Sequence, residues 1–220
     1  MKVTNICRKL AASLAAAGML AFSTAHAADL NTNLLVNPSF EAVDPGFPVG
    51  DYSAVLITEG WTGDFGGGVG AYNVSLGYTA GTLPAGAGNY FYTFPANPTR
   101  ARQNINLSGG ASGSLIAAGN AFFNASAHFA NWANPGTPNA GDGDYGRVIV
   151  MFQDSGGGTL GTPFTLNSAS GVSPSGLLPW TQFGMDGPIP VGTTTAVVEL
   201  LGVSASGATT ARYREGYIDL

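Results

Sequence analysis

Few residues of this sequence carry the side chains that catalysis needs. After the first 27 residues there is one histidine, His128, and no cysteine, because Cys7 is the only cysteine in the chain. A cysteine nucleophile, a cysteine-ligated zinc site and a disulfide framework are therefore excluded there. No serine stands in a G-x-S-x-G elbow. A Ser-His-Asp triad assembled from distant residues stays open, but the pattern favours His128 as a strand histidine on a polar face.

Carboxylates are the second class of candidate. A pair of them hydrolyses glycosides, and spacing in sequence does not exclude a pair that meets in space; the candidates are Glu41, Glu59, Asp64, Asp186, Glu199 and Glu215. Asp142-Gly-Asp144 lacks the rest of a calcium loop, so a hairpin turn is the favoured interpretation. We therefore predict a non-catalytic protein and leave a glycan-active enzyme as the minor alternative.

Aromatic residues form the third class, since their rings cover the apolar faces of sugars. Tyr90 and Tyr92 alternate along one short predicted strand. For Tyr92, Trp132 and Trp180 a groove position and a core position both stay open. The remaining aromatic residues considered are expected in the core: Phe91, Phe122, Phe123, Phe129 and Phe152.

The first residues are those of an export signal. Lys2, Arg8 and Lys9 precede an apolar run from Leu10 to Phe22 and the triplet Ala25-His26-Ala27. This pattern predicts a secretory signal peptide over residues 1–27, and the apolar run is too short for a transmembrane helix. We expect a secreted or cell-surface protein.

The charge of the remaining 193 residues limits the partners. Five arginines stand against thirteen acidic residues, which gives a net charge of −8 once the signal is removed. Nucleic acid and anionic membranes are therefore unsuitable partners.

The elements that must position these residues are strands. Short apolar or alternating runs recur between Gly-, Pro-, Asn- and Ser-rich turns, and no convincing helical repeat is present. Eleven strands are predicted over residues 34–41, 54–61, 69–78, 89–94, 101–107, 120–132, 145–154, 159–166, 180–183, 194–204 and 211–220. The strand predicted over residues 194–204 carries Val197, Glu199 and Leu201 on the same side. Because this side mixes apolar and charged residues, it is not expected to be plain solvent surface. The prediction is a single all-β domain over residues 28–220, a two-sheet antiparallel sandwich.

Several short motifs, read in order, resemble bacterial galactose-binding-like jelly rolls, including carbohydrate-binding modules of the family 4, 9 and 22 kind. They are "NLLVNPSFEA" at 33–42, "GW" at 60–61, "GNYFY" at 88–92, "ARQNINL" at 101–107 and "EGYIDL" at 215–220. The resemblance implies one structural calcium ion held by Glu41 of the opening motif and Asp219 of the closing one, and carboxylate oxygens suit calcium. It also implies a glycan as ligand, with Tyr92, Trp132, Arg147 and Trp180 as candidate contacts.

The middle segment, residues 103–132, resembles exported proteins of the PEP-CTERM type. Since the last strand of that family continues beyond the aspartate, we expect the sequence to be cut in or just after its last strand. The resulting hypothesis is an exported, calcium-stabilised module that binds extracellular or cell-surface polysaccharide. The alternative is a surface or matrix structural protein of the same fold with no small ligand.

Overall fold

The computed structural model describes residues 31–40, 60–62, 67–71, 89–93, 99–130, 145–168, 180–203 and 212–219. Nine strands and one helix lie within these ranges: β1 Gly67–Ala71, β2 Asn89–Thr93, β3 Thr99–Asn106, α1 Gly110–Ala117, β4 Phe122–Ala130, β5 Tyr145–Gln153, β6 Thr159–Asn167, β7 Thr181–Pro188, β8 Thr195–Val203 and β9 Arg212–Asp219. In the described part of the chain, α1 is not long and apolar enough to cross a membrane.

The strands form two antiparallel sheets. The five-stranded sheet has the order β1-β2-β9-β4-β7, and the four-stranded sheet has the order β3-β8-β5-β6. Strands that are distant in sequence lie side by side, since β9 pairs with both β2 and β4. The two-sheet antiparallel β-sandwich that the sequence predicts is confirmed.

The core lies between the two sheets and follows the alternation of the strands. Phe123 and Phe129 of β4 are at most 1% exposed, and Phe152 of β5 is 2% exposed. The ring of Phe123 meets Phe152 edge-on at 5.3 Å and Phe164 at 4.7 Å, so aromatic contacts join the two sheets. Such pairs contribute about 0.5–1.5 kcal/mol beyond the area they bury.

The helix α1 is the element that the sequence analysis did not predict. Only Ser112 and Ile116 of its eight residues are buried, which leaves too few apolar positions for a visible helical repeat. It ends in a Schellman arrangement: the N–H of Gly119 donates to the carbonyl of Ile116, and the N–H of Asn120 donates to that of Leu115. Gly119 has a φ of +72°, a conformation that favours glycine at this position.

The opening segment, residues 31–40, is not the strand that we predicted from Leu34. Asn37 and Phe40 adopt positive φ values of 49° and 58°, and the N–H of Phe40 donates to the carbonyl of Asn37, which closes a turn. Leu35 and Phe40 still enter the core, where the ring of Phe40 lies 5.5 Å from that of Trp61. Burial of these side chains thus holds the segment without sheet pairing.

Gln103 of β3 fastens this segment to the four-stranded sheet. Its side-chain Oε1 accepts a 2.7 Å hydrogen bond from the N–H of Val36, and its Nε2 donates a 2.9 Å bond to the carbonyl of Val36. The amide therefore pairs with Val36 as a neighbouring strand would. Gln103 itself is 4% exposed.

The predicted strand at 180–183 is too short, because β7 continues to Pro188. The continuation contains glycines at 184 and 187, which are more typical of turns than of strands. Packing explains the glycine at 187, because a β-carbon there would lie 2.4 Å from the Phe164 ring. The absence of a side chain allows the ring to approach the backbone of β7. Residues 54–59 and 72–78 of two other predicted strands lie outside the described residues.

Candidate functional site

The β4–β7 face is the side of these two strands that points away from the core. It consists of eight residues: Phe122, Asn124, Ser126 and His128 of β4, and Gln182, Gly184, Asp186 and Pro188 of β7. All four β7 residues are exposed, as are Phe122 and Asn124, whereas Ser126 is half-buried and His128 is 9% exposed. The face is therefore accessible over most of its length and becomes covered towards His128.

Polar groups and one large ring share the accessible part of this face. The antiparallel register sets Phe122 opposite Pro188 and Asn124 opposite Asp186. Directly opposite residues share a face at a spacing of about 5 Å. Gln182 donates a long 3.4 Å hydrogen bond to the hydroxyl of Ser126. Exposed groups with such weak partners can exchange them for the hydroxyls of a ligand at little cost.

The strand register extends the rows of the β4–β7 face onto β9 and then onto β2. In β9, position 219 is opposite Asn124, position 217 is opposite Ser126 and position 214 is opposite His128. Position 212 pairs in turn with position 92 of β2. Tyrosine at 92 and 217 and arginine at 212 and 214 are residue types that bind sugars well.

The non-core face of the four-stranded sheet differs from this in burial. One of its two inner strands, β8, places Val197, Glu199 and Leu201 there, and these residues are 1%, 7% and 7% exposed. The expectation that this mixed face is not plain solvent surface is confirmed. Along β8 it is less accessible than the β4–β7 face, whereas its edge strand β3 exposes Arg102 and Asn104.

The acidic residue on that covered face has a structural partner. Glu199 accepts hydrogen bonds from Nε of Arg102, at 2.9 Å, and from the terminal Nη2 of the same guanidinium. The two residues are also opposite each other in the β3–β8 register. This ion pair accounts for one of the carboxylates that the sequence left as a catalytic candidate.

The carboxylate candidates of the described residues lie on three strands, and Glu215 belongs to β9 of the same five-stranded sheet as Asp186. Asp186 is exposed on the five-stranded sheet, while Glu199 lies on the outer side of the other sheet. Across the described part of the chain, no three histidine, cysteine, aspartate or glutamate side chains come close enough to share a metal ion. Glu41, Glu59 and Asp64 lie outside the described residues.

The four predicted ligand contacts do not form one site. Tyr92 lies in β2 of the five-stranded sheet, and Arg147 lies in β5 of the four-stranded sheet. Arg147 is half-buried on the non-core side of β5, since its neighbour Val148 is in the core. Trp180 is 4% exposed but does not belong to the hydrophobic core cluster between the sheets, so it is buried outside that cluster. Trp132 lies outside the described residues.

The structure also separates two phenylalanines that the sequence analysis treated alike. Phe123 is 1% exposed, as expected for the core, but Phe122 is 61% exposed, so its predicted core position is wrong. Strand geometry contains the missing signal, because adjacent residues of a strand point to opposite faces and only one of the two can be buried between the sheets. His128 lies in β4 as predicted, although its side of the strand is covered.

Comparison with known proteins gives structural neighbours only. No protein-family model matches the sequence, and no curated protein matches it. The enzymatically active domain of bacteriophage CBA120 tailspike protein 4 is similar to 86% of this chain with a TM-score of 0.51 and 13% identity; the match covers 21% of that chain. At this identity the similarity shows the fold alone.

Carbohydrate-binding modules are among the neighbours. Family 16 Carbohydrate Binding Module-2 matches with a TM-score of 0.45 and 18% identity, over 86% of this chain and 96% of that one. The CBM22-1 xylan-binding domain from Paenibacillus barcinonensis Xyn10C matches with a TM-score of 0.42 and 15% identity, over 88% and 97%. Both similarities have TM-scores below 0.5, and it is the two antiparallel sheets of the chain that confirm the predicted all-β fold.

Proposed function

We propose that this protein is an exported, non-catalytic module that binds polysaccharide along the β4–β7 face and its continuation onto β9 and β2. The observation that carries the proposal is the difference between the two outer faces. One presents exposed amide and carboxylate groups and a half-buried hydroxyl beside an exposed ring, and the other is covered along its inner strand β8.

The shape of this surface suits a chain of sugars. A sheet face presents hydrogen-bonding groups at intervals of about 5 Å across the strands. A polysaccharide presents a hydroxyl-rich edge and an apolar ring face in each residue, so it can use both the polar rows and an aromatic ring. The candidate residues retained for this site are Tyr92, Asn124, Ser126 and Gln182.

A binding role without catalysis is consistent with the carboxylates. Glycoside hydrolysis uses two carboxyl groups that flank one scissile bond. In β4 and β7 the acidic residue of this face is Asp186. Asp219 of β9 stands opposite Asn124 in the same row and is assigned to the proposed calcium ion, and Glu199 is engaged by Arg102 on the other sheet. Export and the absence of catalysis remain parts of the proposal.

A structural calcium ion also belongs to the proposal. Glu41 lies outside the described residues, and Asp219 is the last residue of β9, opposite Asn124. The donors available to an ion bound by Glu41 and Asp219 are oxygen atoms, which calcium prefers. Such an ion would link the two ends of the domain.

Retention on insoluble polysaccharides tests the proposed function. The full chain is incubated with xylan, cellulose, mannan and chitin, and the bound fraction is measured with the folded state verified by near-UV circular dichroism. We expect retention on at least one polysaccharide. Because Gln182 is exposed on the β4–β7 face, Gln182→Ala should weaken binding about five- to tenfold, the equivalent of ~1–1.4 kcal/mol.

The matched control is Asn104→Ala. Asn104 is also an exposed amide on a strand, but it lies on β3 of the four-stranded sheet. Its removal should leave binding unchanged. Folded protein that is retained on no polysaccharide refutes the function, and weaker binding by Asn104→Ala alone would place the ligand on the other sheet.

A further inference from the structure

Phe122 is the largest exposed hydrophobic side chain in the described part of the chain. It is 61% exposed, although its neighbours in sequence Ala121 and Phe123 are 7% and 1% exposed. Its strand partner on β7 is Pro188, which is exposed as well. The exposed ring of Phe122 and the neighbouring Pro188 therefore form an apolar surface that no described part of the chain covers.

The neighbouring row supplies polar groups beside this apolar surface. Asn124 and Asp186 are two residues further along their strands, are opposite each other, and are both exposed. Residues two apart on a strand share a face and lie about 7 Å apart along it. An aromatic platform flanked by an amide and a carboxylate matches a pyranose ring, whose C–H groups lie on one face and whose hydroxyls lie at the rim.

We propose that Phe122, Pro188, Asn124 and Asp186 form a subsite that binds one neutral pyranose unit at the end of the β4–β7 face. This inference rests on the proposed function and adds the ring on which a sugar stacks and the charge class of that sugar. Phe122 covers the apolar side of the sugar, and Asn124 and Asp186 bond its hydroxyls.

The charge class follows from Asp186. Its side chain is an exposed carboxylate in the row adjacent to Phe122, and the predicted exported chain carries a net charge of −8. A uronic acid or a sulfated sugar placed on Phe122 would bring a like charge close to Asp186, and like charges at such distances repel. Neutral sugars avoid this repulsion and use the carboxylate as a hydrogen-bond acceptor.

Three variants test the subsite on the polysaccharide that the full chain retains from the panel of xylan, cellulose, mannan and chitin. Phe122→Thr removes the ring but keeps a residue suited to a strand, and we expect a tenfold or larger loss of affinity. Phe122→Trp keeps a stacking ring and should retain binding. Val36→Thr is the control, because Val36 is also exposed, at 48%, but lies beside β3; its affinity should equal that of the parent.

Binding to a polyuronate in the same assay tests the charge class of the bound sugar. The parent should not bind polygalacturonate, and Asp186→Asn, which keeps a hydrogen-bonding side chain and removes the charge, should bind it more than the parent does. Equal affinity of the parent and Phe122→Thr for the retained polysaccharide overturns the subsite while leaving the proposed function intact. A parent that binds polygalacturonate as well as neutral polymers overturns the charge class, and a folded parent that binds no polysaccharide overturns both proposals.

Discussion

The attachment of residues 31–40 to the four-stranded sheet is tested most directly by removing the side chain of Gln103. Gln103→Ala deletes two hydrogen bonds to the backbone of Val36, of 2.7 and 2.9 Å, and leaves a partly buried N–H and carbonyl without these partners. A neutral hydrogen bond contributes about 1 kcal/mol net, and an unsatisfied buried group costs about 1–3 kcal/mol. Val36 is 48% exposed, so water replaces part of the loss.

We therefore expect Gln103→Ala to lower the free energy of unfolding by about 2–3 kcal/mol, which is roughly 5–10 °C in Tm for a domain of this size. Urea unfolding followed by tryptophan fluorescence measures it. The neighbouring exposed residue gives the control, since Asn104→Ala should change stability by less than about 0.5 kcal/mol. Equal effects of the two substitutions would refute the role assigned to Gln103.

The variant Gln103→Glu makes the same contact dependent on pH. Its protonated carboxyl can donate to the carbonyl of Val36 as the amide does, whereas the ionised form faces that oxygen with a negative charge and is buried. Folding should thus raise the pKa of the introduced carboxyl above about 4.3. The stabilising contribution is present below that pH and is lost as pH rises through the raised pKa, so the deficit relative to the parent should be smaller at pH 4 than at pH 7. A deficit that does not change between these pH values would contradict the proposed geometry.

Two further predictions concern the core and the proposed metal. A β-carbon at Gly187 would lie 2.4 Å from the Phe164 ring, whereas one at Gly184 meets nothing closer than 3.8 Å. Gly187→Ala should therefore lower the free energy of unfolding in urea by about 1–3 kcal/mol, and Gly184→Ala by less than about 1 kcal/mol. Similar losses for the two variants would contradict this packing. If one calcium ion is bound by Glu41 and Asp219, a chelator should lower Tm, and Glu41→Ala should lower Tm and be insensitive to the chelator; a parent whose Tm does not respond to the chelator has no such stabilising ion.

Strand alternation made the fold predictable. Alternation places Ala101, Gln103 and Ile105 on one side of β3, and all three are buried, while Arg102 and Asn104 are exposed on the other. Such patterns follow from the two-residue repeat of an extended backbone and need no knowledge of the partner strands. The helix α1 was not predicted because it buries too few apolar residues to show a helical repeat, and the end of β7 was not predicted because it contains glycines, which are typical of turns.

The candidate site was less predictable because its residues come from different parts of the chain. Tyr92 and Arg147 suited a sugar equally well by type, and only the strand order assigns them to different sheets. By type Glu199 is a catalytic candidate, but in the structure it pairs with Arg102, which is 97 residues away in sequence. Chemical type is a local property, whereas partnership depends on which strands become neighbours.

The sequence by itself determined that this chain forms a β-sandwich and that cysteine chemistry is excluded after residue 27. Strand geometry also requires Phe122 and Phe123 to face opposite ways, although both were expected in the core. The tertiary structure alone decided which of the two phenylalanines enters the core, because alternation leaves both assignments possible until the second sheet packs against one side. It also decided which outer face stays accessible. The hypothesis of a glycan-binding surface thereby gained a location and a ring that an experiment can remove.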